Sequence, residues 1–199
     1  MLLSPRAQAA EDIPRLVCRE EWGAAPFGPA LKPHTIDRIT IHHSASGAPR
    51  SPTKTARLLR SFQAAHRAPP KRYPDIAYHL LVDFDGRVWE GRPLWARGDT
   101  PTNYDPAGHL LICLIGNFER GPPPPAQWAA LVSVVAWASG EWHIPLEKIA
   151  GHRDHASTLC PGRHLHTRII DGTLRKAVEG RIDGGGARFE RKCPQRGRG

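Results

Sequence analysis

The sequence predicts a single mixed α/β domain with a central mixed β-sheet flanked by about three helices. Segments with the two-residue period of strands are interspersed with segments of helical period, and no internal repeat is visible. The 199 residues, 40% of them hydrophobic, suffice for one sizeable core. We place this domain at residues 15–178, between flexible ends at 1–14 and 179–199.

In the first half of the chain the sequence predicts a strand, then a helix, then a hairpin. Residues 38–44, RITIHHS, contain β-branched residues in alternation and predict a short strand. Residues 55–68 have apolar side chains at helical spacing, with a proline ahead of them and two prolines behind. Residues 78–91 predict a hairpin because Asp85 and Gly86 supply a turn between two apolar runs.

The second half predicts a buried strand followed by helices. Residues 109–118, HLLICLIGNF, are apolar on both faces, which is typical of a central strand covered on each side. A wide apolar stripe over 126–142 predicts a long helix that ends near Gly140. A last helix is predicted over about 168–179.

Charge and hydropathy limit the classes of function. The net charge is +9, and residues 181–199 hold six Lys/Arg against two acidic residues. A basic end of this kind allows a nucleic-acid binder, which would show steep salt dependence, but no recognised nucleic-acid motif accompanies it. We therefore expect no specific nucleic-acid partner. No apolar run approaches the roughly 18 residues of a membrane span.

Three of the four cysteines call for two different explanations. Cys113 lies within an apolar run and is expected to be a buried small hydrophobic residue. Cys18 and Cys193 flank the domain and would pair if the two ends meet in an oxidising compartment, which the sequence leaves open. We expect a secreted or cell-wall-associated protein, although the chain shows no clear signal peptide.

The polar segment GHRDHASTLC, residues 151–160, suggests half of a metal site. A catalytic zinc ion takes three protein ligands and leaves the fourth position to water. His152 and Cys160 can supply two of them, and the pair His42 and His43 is the source of the third. Side chains alternate along a strand, so only one of this pair is expected to face the ion. The rival candidates are His155, His164 and His166.

Five motifs in order resemble the peptidoglycan recognition proteins and type 2 N-acetylmuramoyl-L-alanine amidases. They are REEWGA, ITIHHSAS, DIAYHLLVDFDGRVWEGR, LICLIGNF and GHRDHASTLCPG, and the resemblance covers roughly residues 15–175. It implies His42, His152 and Cys160 as ligands of Zn²⁺. It also implies that Tyr78 acts beside the metal, with Thr158 near it.

The resemblance implies an enzyme that hydrolyses the amide between N-acetylmuramic acid and L-alanine in peptidoglycan. The partners are then peptidoglycan and its muropeptides. Segment 97–109 departs from the family pattern, and its Asn103, Tyr104 and Asp105 are expected to border the peptide stem.

Two alternatives to the zinc enzyme stay open. The first is a non-catalytic receptor that binds peptidoglycan through the same groove. The second is a nucleophilic cysteine mechanism based on Cys160 with a histidine, which would survive a chelator.

Overall fold

The centre of the fold is a six-stranded mixed sheet, seen in a computed structural model that describes residues 16–185 and Cys193. The strand order is β1-β4-β3-β5-β2-β6. Only β3 and β4 pair antiparallel, as the predicted hairpin requires, and the other neighbours are parallel. The strands are β1 (Leu16–Val17), β2 (Arg38–His43), β3 (Leu80–Val82), β4 (Val88–Glu90), β5 (His109–Leu114) and β6 (Ile149–Gly151).

Strand β5 lies between β3 and β2, and both of its faces are covered. Leu110, Ile112 and Leu114 belong to one apolar cluster, together with helical residues from the far side of the sheet. Cys113 belongs to the opposite cluster, together with Trp22 and Leu59. This arrangement confirms both the central position of the strand and the buried, apolar role of Cys113, which has no exposed surface.

Within residues 16–185, four α-helices pack on the sheet. They are α1 (Pro52–Arg67), α2 (Pro125–Glu141), α3 (Arg163–Ile170) and α4 (Thr173–Asp183). The first two confirm the predicted helices, and α1 begins three residues earlier than predicted because its proline occupies the first turn. Among the described residues no helix has the length and apolar character needed to cross a membrane.

The last predicted helix, 168–179, is wrong as a single element. The structure divides this region into α3 and α4 at Asp171 and Gly172. Gly172 has a φ of 82°, and the Asp171 carboxylate accepts a hydrogen bond from the backbone N–H of Thr173, 2.8 Å away. A left-handed glycine ends one helix and permits a change of direction before the next.

The end of the predicted domain, residue 178, falls within helix α4, which continues to Asp183. The predicted N-terminal segment 1–14 lies outside the described residues, as do 186–192 and 194–199 of the predicted tail. Cys193 forms a disulfide with Cys18, which answers the question that the sequence left open.

Buried ion pairs hold the segments that lead to the site. Arg19 pairs with Asp75 at 2.8 Å, and both side chains are almost fully buried. Arg92, 1% exposed, pairs with Asp99 at 2.6 Å and donates a hydrogen bond to the carbonyl of Arg97, also at 2.6 Å. These contacts attach segment 97–109 to the body of the domain.

Candidate metal centre

The three predicted ligands meet at the carboxyl ends of two neighbouring strands. His42 lies near the end of β2, and His152 follows directly after β6. The two strands are parallel, with Ile41 opposite Gly151, so the next residue of each strand falls at the same level. Cys160 joins them from the following loop. Ligand atoms of His42, His152 and Cys160 all lie within 4.8 Å of one another.

The spacing of the donor atoms fits zinc. His42 Nδ1 lies 3.6 Å from Cys160 Sγ. A tetrahedral ion with Zn–S of about 2.3 Å and Zn–N of about 2.1 Å would hold these two atoms about 3.6 Å apart. Two imidazoles and one thiolate are also a donor set that suits zinc, with one position left open.

Burial adjusts the protonation of all three groups. It lowers the pKa of His42 well below its usual value, and the pKa of His152 to about 4. Both imidazoles are therefore neutral at pH 7 and keep a lone pair for an ion. Burial also raises the pKa of the Cys160 thiol to about 12, so a metal ion must displace its proton.

The loop that carries His152 and Cys160 is closed by its own hydrogen bonds. The backbone N–H of Arg153 donates to the Cys160 carbonyl at 2.9 Å, and the Asp154 carboxylate accepts from Gly151 N at 2.7 Å. Arg153 also forms an ion pair with Glu119 at 2.8 Å. Arg153 and Asp154 thus hold the loop through hydrogen bonds and an ion pair. Thr158 Oγ1 accepts a hydrogen bond from Cys160 N at 3.2 Å, which supports the turn into the ligand.

Tyr78 lies beside the three ligands, just before β3. The centres of the Tyr78 and His42 rings are 5.3 Å apart. Burial raises the pKa of the Tyr78 hydroxyl well above its usual value, and the nearby thiols of Cys113 and Cys160 raise it further. The hydroxyl therefore keeps its proton at neutral pH and is a hydrogen-bond donor.

The rival histidines have other partners. His155 Nε2 is 3.3 Å from Thr40 Oγ1, and the His166 ring contacts the Asp154 carboxylate at 2.7 Å. His164 is exposed on α3. His43 Nδ1 accepts a hydrogen bond from Phe118 N, while its backbone N–H donates to Cys160 Sγ at 3.3 Å. His43 therefore supports the cysteine, and His42 is the member of the pair that faces the other ligands.

Segment 97–109 covers one side of this centre. The Tyr104 ring lies 5.4 Å from the His152 ring, while Asn103 is exposed and Asp105 pairs with Arg97 at 3.1 Å. Two residues of this segment contact the site without any signal in the sequence. Thr100 and Thr102 point their hydroxyl groups at Nε2 of His152, and only the folded structure brings them there.

A family model described as N-acetylmuramoyl-L-alanine amidase matches residues 32–163. This span holds all three predicted ligand residues and most of the sheet. The chain belongs to the N-acetylmuramoyl-L-alanine amidase family. Peptidoglycan recognition protein 1 of Mus musculus is a relative that is 32% identical over 157 residues, which are 77% of this chain and 85% of the relative.

Solved structures confirm the fold of this amidase-family chain. Peptidoglycan recognition protein SD of Drosophila superposes with a TM-score of 0.72 at 30% identity, covering 78% of this chain and 93% of that one. The human protein PGRP-IBETAC was solved in complex with glycosamyl muramyl pentapeptide. It superposes with a TM-score of 0.71 at 27% identity, over 80% of this chain and 96% of that one. The mixed sheet with its flanking helices is thus the architecture of peptidoglycan recognition proteins.

Proposed function

We propose that this protein is a zinc-dependent amidase that hydrolyses the bond between N-acetylmuramic acid and L-alanine in peptidoglycan. The observation that carries the proposal is the convergence of His42, His152 and Cys160 within 4.8 Å. Tyr78, a protonated donor, lies directly beside them. A zinc ion bound there would act as a Lewis acid and would lower the pKa of a water molecule.

The chain's own residues contribute orientation and charge stabilisation. Hydrolysis adds water across the amide C–N bond and yields a lactyl carboxylic acid and the free amine of L-alanine. As the carbonyl carbon becomes tetrahedral, negative charge develops on its oxygen, and the Tyr78 hydroxyl donates a hydrogen bond to it. The buried, neutral imidazoles of His42 and His152 keep their lone pairs for the ion instead of taking protons.

Solved structures of similar fold support peptidoglycan as the binding partner. One structure of similar fold was solved with a muramyl pentapeptide, and another, peptidoglycan recognition protein LE, was solved with tracheal cytotoxin, a monomeric diaminopimelic acid-type peptidoglycan. We infer that this chain binds muropeptides of the same chemical class. We propose that segment 97–109, whose Tyr104 ring lies 5.4 Å from the His152 ring, contacts the peptide stem.

A cleavage assay tests the proposal. Purified protein loaded with zinc is incubated with a defined muropeptide, and the products are analysed by mass spectrometry. We expect the free stem peptide and the intact muramyl sugar, loss of turnover with a chelator, and recovery with added zinc. Cys160→Ala should bind zinc more weakly, through the two remaining imidazoles, and should lose turnover.

Three results would contradict the zinc amidase. Binding of the muropeptide without cleavage by the zinc-loaded protein would indicate the receptor. Cleavage that survives complete removal of the metal would indicate a cysteine nucleophile. Cleavage at a different bond would refute the substrate assignment.

The disulfide between Cys18 and Cys193 supports action outside the reducing cytoplasm. We propose that the protein works in a secreted or cell-wall-associated location, where peptidoglycan is accessible. Thiol labelling of the protein isolated from its native host should find both cysteines blocked until a reductant is added. Free thiols at both positions would contradict this location.

A further inference from the structure

We infer that Thr102 is a positioning residue that fixes the orientation of His152 toward the metal, with Thr100 as its support. This inference deepens the proposed function and rests on the zinc site described above. It concerns segment 97–109, which the sequence analysis placed at the peptide stem rather than at the metal.

The contact between the threonine and the histidine is short and specific to one ring atom. Thr102 Oγ1 lies 2.7 Å from His152 Nε2, which is within the range of a good hydrogen bond. Thr100 Oγ1 is 3.4 Å from the same nitrogen, a much weaker approach. His152 is 5% exposed, so water has little access to compete for this contact.

In a neutral imidazole one ring nitrogen carries the N–H and the other has a free lone pair. The contact at Nε2 decides which nitrogen carries the N–H. If Nε2–H donates to Thr102, the lone pair is on Nδ1, which is then the atom available to zinc. Metal-binding histidines almost always donate the other N–H to an oxygen, and this contact fixes both tautomer and ring orientation.

Thr100 sets the direction of the hydroxyl group of Thr102. The two Oγ1 atoms are 2.8 Å apart, and the backbone N–H of Thr102 donates to Thr100 Oγ1 at 3.2 Å. Thr100 thus has lone pairs for the hydroxyl hydrogen of Thr102, which leaves the Thr102 oxygen free to accept from His152. The chain of hydrogen bonds runs from the ring to Thr102 and on to Thr100.

Ion pairs hold segment 97–109 on both sides of the threonines, so the Thr102 hydroxyl oxygen has a defined position. Asp99, immediately before Thr100, pairs with the buried Arg92, and Arg97 pairs with Asp105 on the other side of the threonines. Arg92 additionally donates to the carbonyl of Ile76 at 2.8 Å. A fixed acceptor orients a metal ligand more effectively than one on an unsupported loop.

The three proposed ligands differ in the hydrogen bonds that orient them. Cys160 Sγ accepts a hydrogen bond from the backbone of His43. His42 Nε2 is buried without a hydrogen-bond partner among the described residues. Thr102 is therefore the side-chain hydroxyl that orients a histidine ligand at this centre.

The test compares zinc affinity in full-length Thr102→Val and Thr102→Ser by competition with a chromophoric chelator. Valine has the shape of threonine without the hydroxyl, and serine keeps the hydroxyl. We expect Thr102→Val to bind zinc about 10- to 100-fold more weakly than wild type. Thr102→Ser should recover most of this loss. Thr53→Val, at an exposed position in α1, is the matched control and should bind as wild type does.

Two further measurements separate positioning from folding. The metal-free variants should keep the circular dichroism spectrum of the wild type and unfold in one cooperative transition, and nitrogen chemical shifts of the His152 ring should show the Nε2–H tautomer in zinc-loaded wild type. Equal zinc affinity in Thr102→Val and wild type would overturn the inference, as would serine and valine variants that are equally weak. Failure of the wild type itself to bind zinc would instead refute the proposed function.

Discussion

Zinc binding to this protein should release one proton per ion near pH 6, and Cys160 should be its source. Burial lowers the pKa of His152 to about 4 and that of His42 well below its usual value, so both rings are already neutral at that pH. The Cys160 thiol, with its pKa raised to about 12, is still protonated. A thiolate is the form that binds zinc, so binding must expel this proton.

The magnitude follows from the pKa values of these three side chains. Between about pH 5, where the histidines have lost their protons, and about pH 12, the thiolate fraction rises tenfold with each pH unit. Below about pH 7 the apparent zinc affinity should therefore rise about tenfold per pH unit, or about 1.4 kcal/mol. Near pH 7 a zinc-bound water adds a second, partial release, so the count is cleanest at about pH 6.

Calorimetric titration in buffers of different ionisation enthalpy counts the released protons. We expect one proton per zinc ion for the wild type and none for Cys160→Ala, which retains only the two neutral rings. A count near zero in the wild type would show that the thiol is already ionised. A count near two at pH 6 would show that a histidine is protonated in the free protein, and either result would refute the reasoning.

Three other predictions concern catalysis and stability. Tyr78→Phe should keep its zinc and lose about 100- to 1,000-fold in muropeptide turnover, because it removes one donor to the developing oxyanion; turnover within threefold of wild type would contradict this role. Asp75→Ala leaves Arg19 buried without its carboxylate and should cost about 3–5 kcal/mol in urea unfolding. Arg175→Ala, in an exposed pair, is the control and should cost under about 1 kcal/mol. Gly162→Ala should reduce zinc affinity and stability, because Gly162 has a φ of 93° and an added Cβ would meet the backbone of Phe118; an unchanged unfolding midpoint would contradict this strain.

The sequence predicted the parts of the fold whose pattern repeats over several residues. Strand β5 and helix α2 were predicted because their apolar patterns, a continuous run in β5 and a helical stripe in α2, extend over six residues or more. Strands β1 and β6 have two and three residues, too few to show a period, and their pairing depends on neighbours distant in the chain. The break between α3 and α4 had a local signal, the Asp171–Gly172 pair, that outweighs the helical pattern on either side.

The candidate site was predictable to the extent that its residues are chemically distinctive. Two histidines and a cysteine drew attention because their side chains bind metals, and strand alternation limited the choice between His42 and His43. Thr102 has no such signal, since threonine is common in loops and its contact with His152 spans 50 positions. Contacts of this kind depend on how a loop is held by ion pairs such as Arg92 with Asp99.

The central claim is that His42, His152 and Cys160 bind one zinc ion and leave one position open. X-ray absorption at the zinc edge of protein loaded with one equivalent measures this directly. We predict one sulfur at about 2.3 Å and three nitrogen or oxygen neighbours at about 2.0–2.1 Å, two of them imidazoles. In Cys160→Ala the sulfur contribution should disappear. A spectrum of the wild type without sulfur, or with four protein ligands and no exchangeable position, would contradict the account.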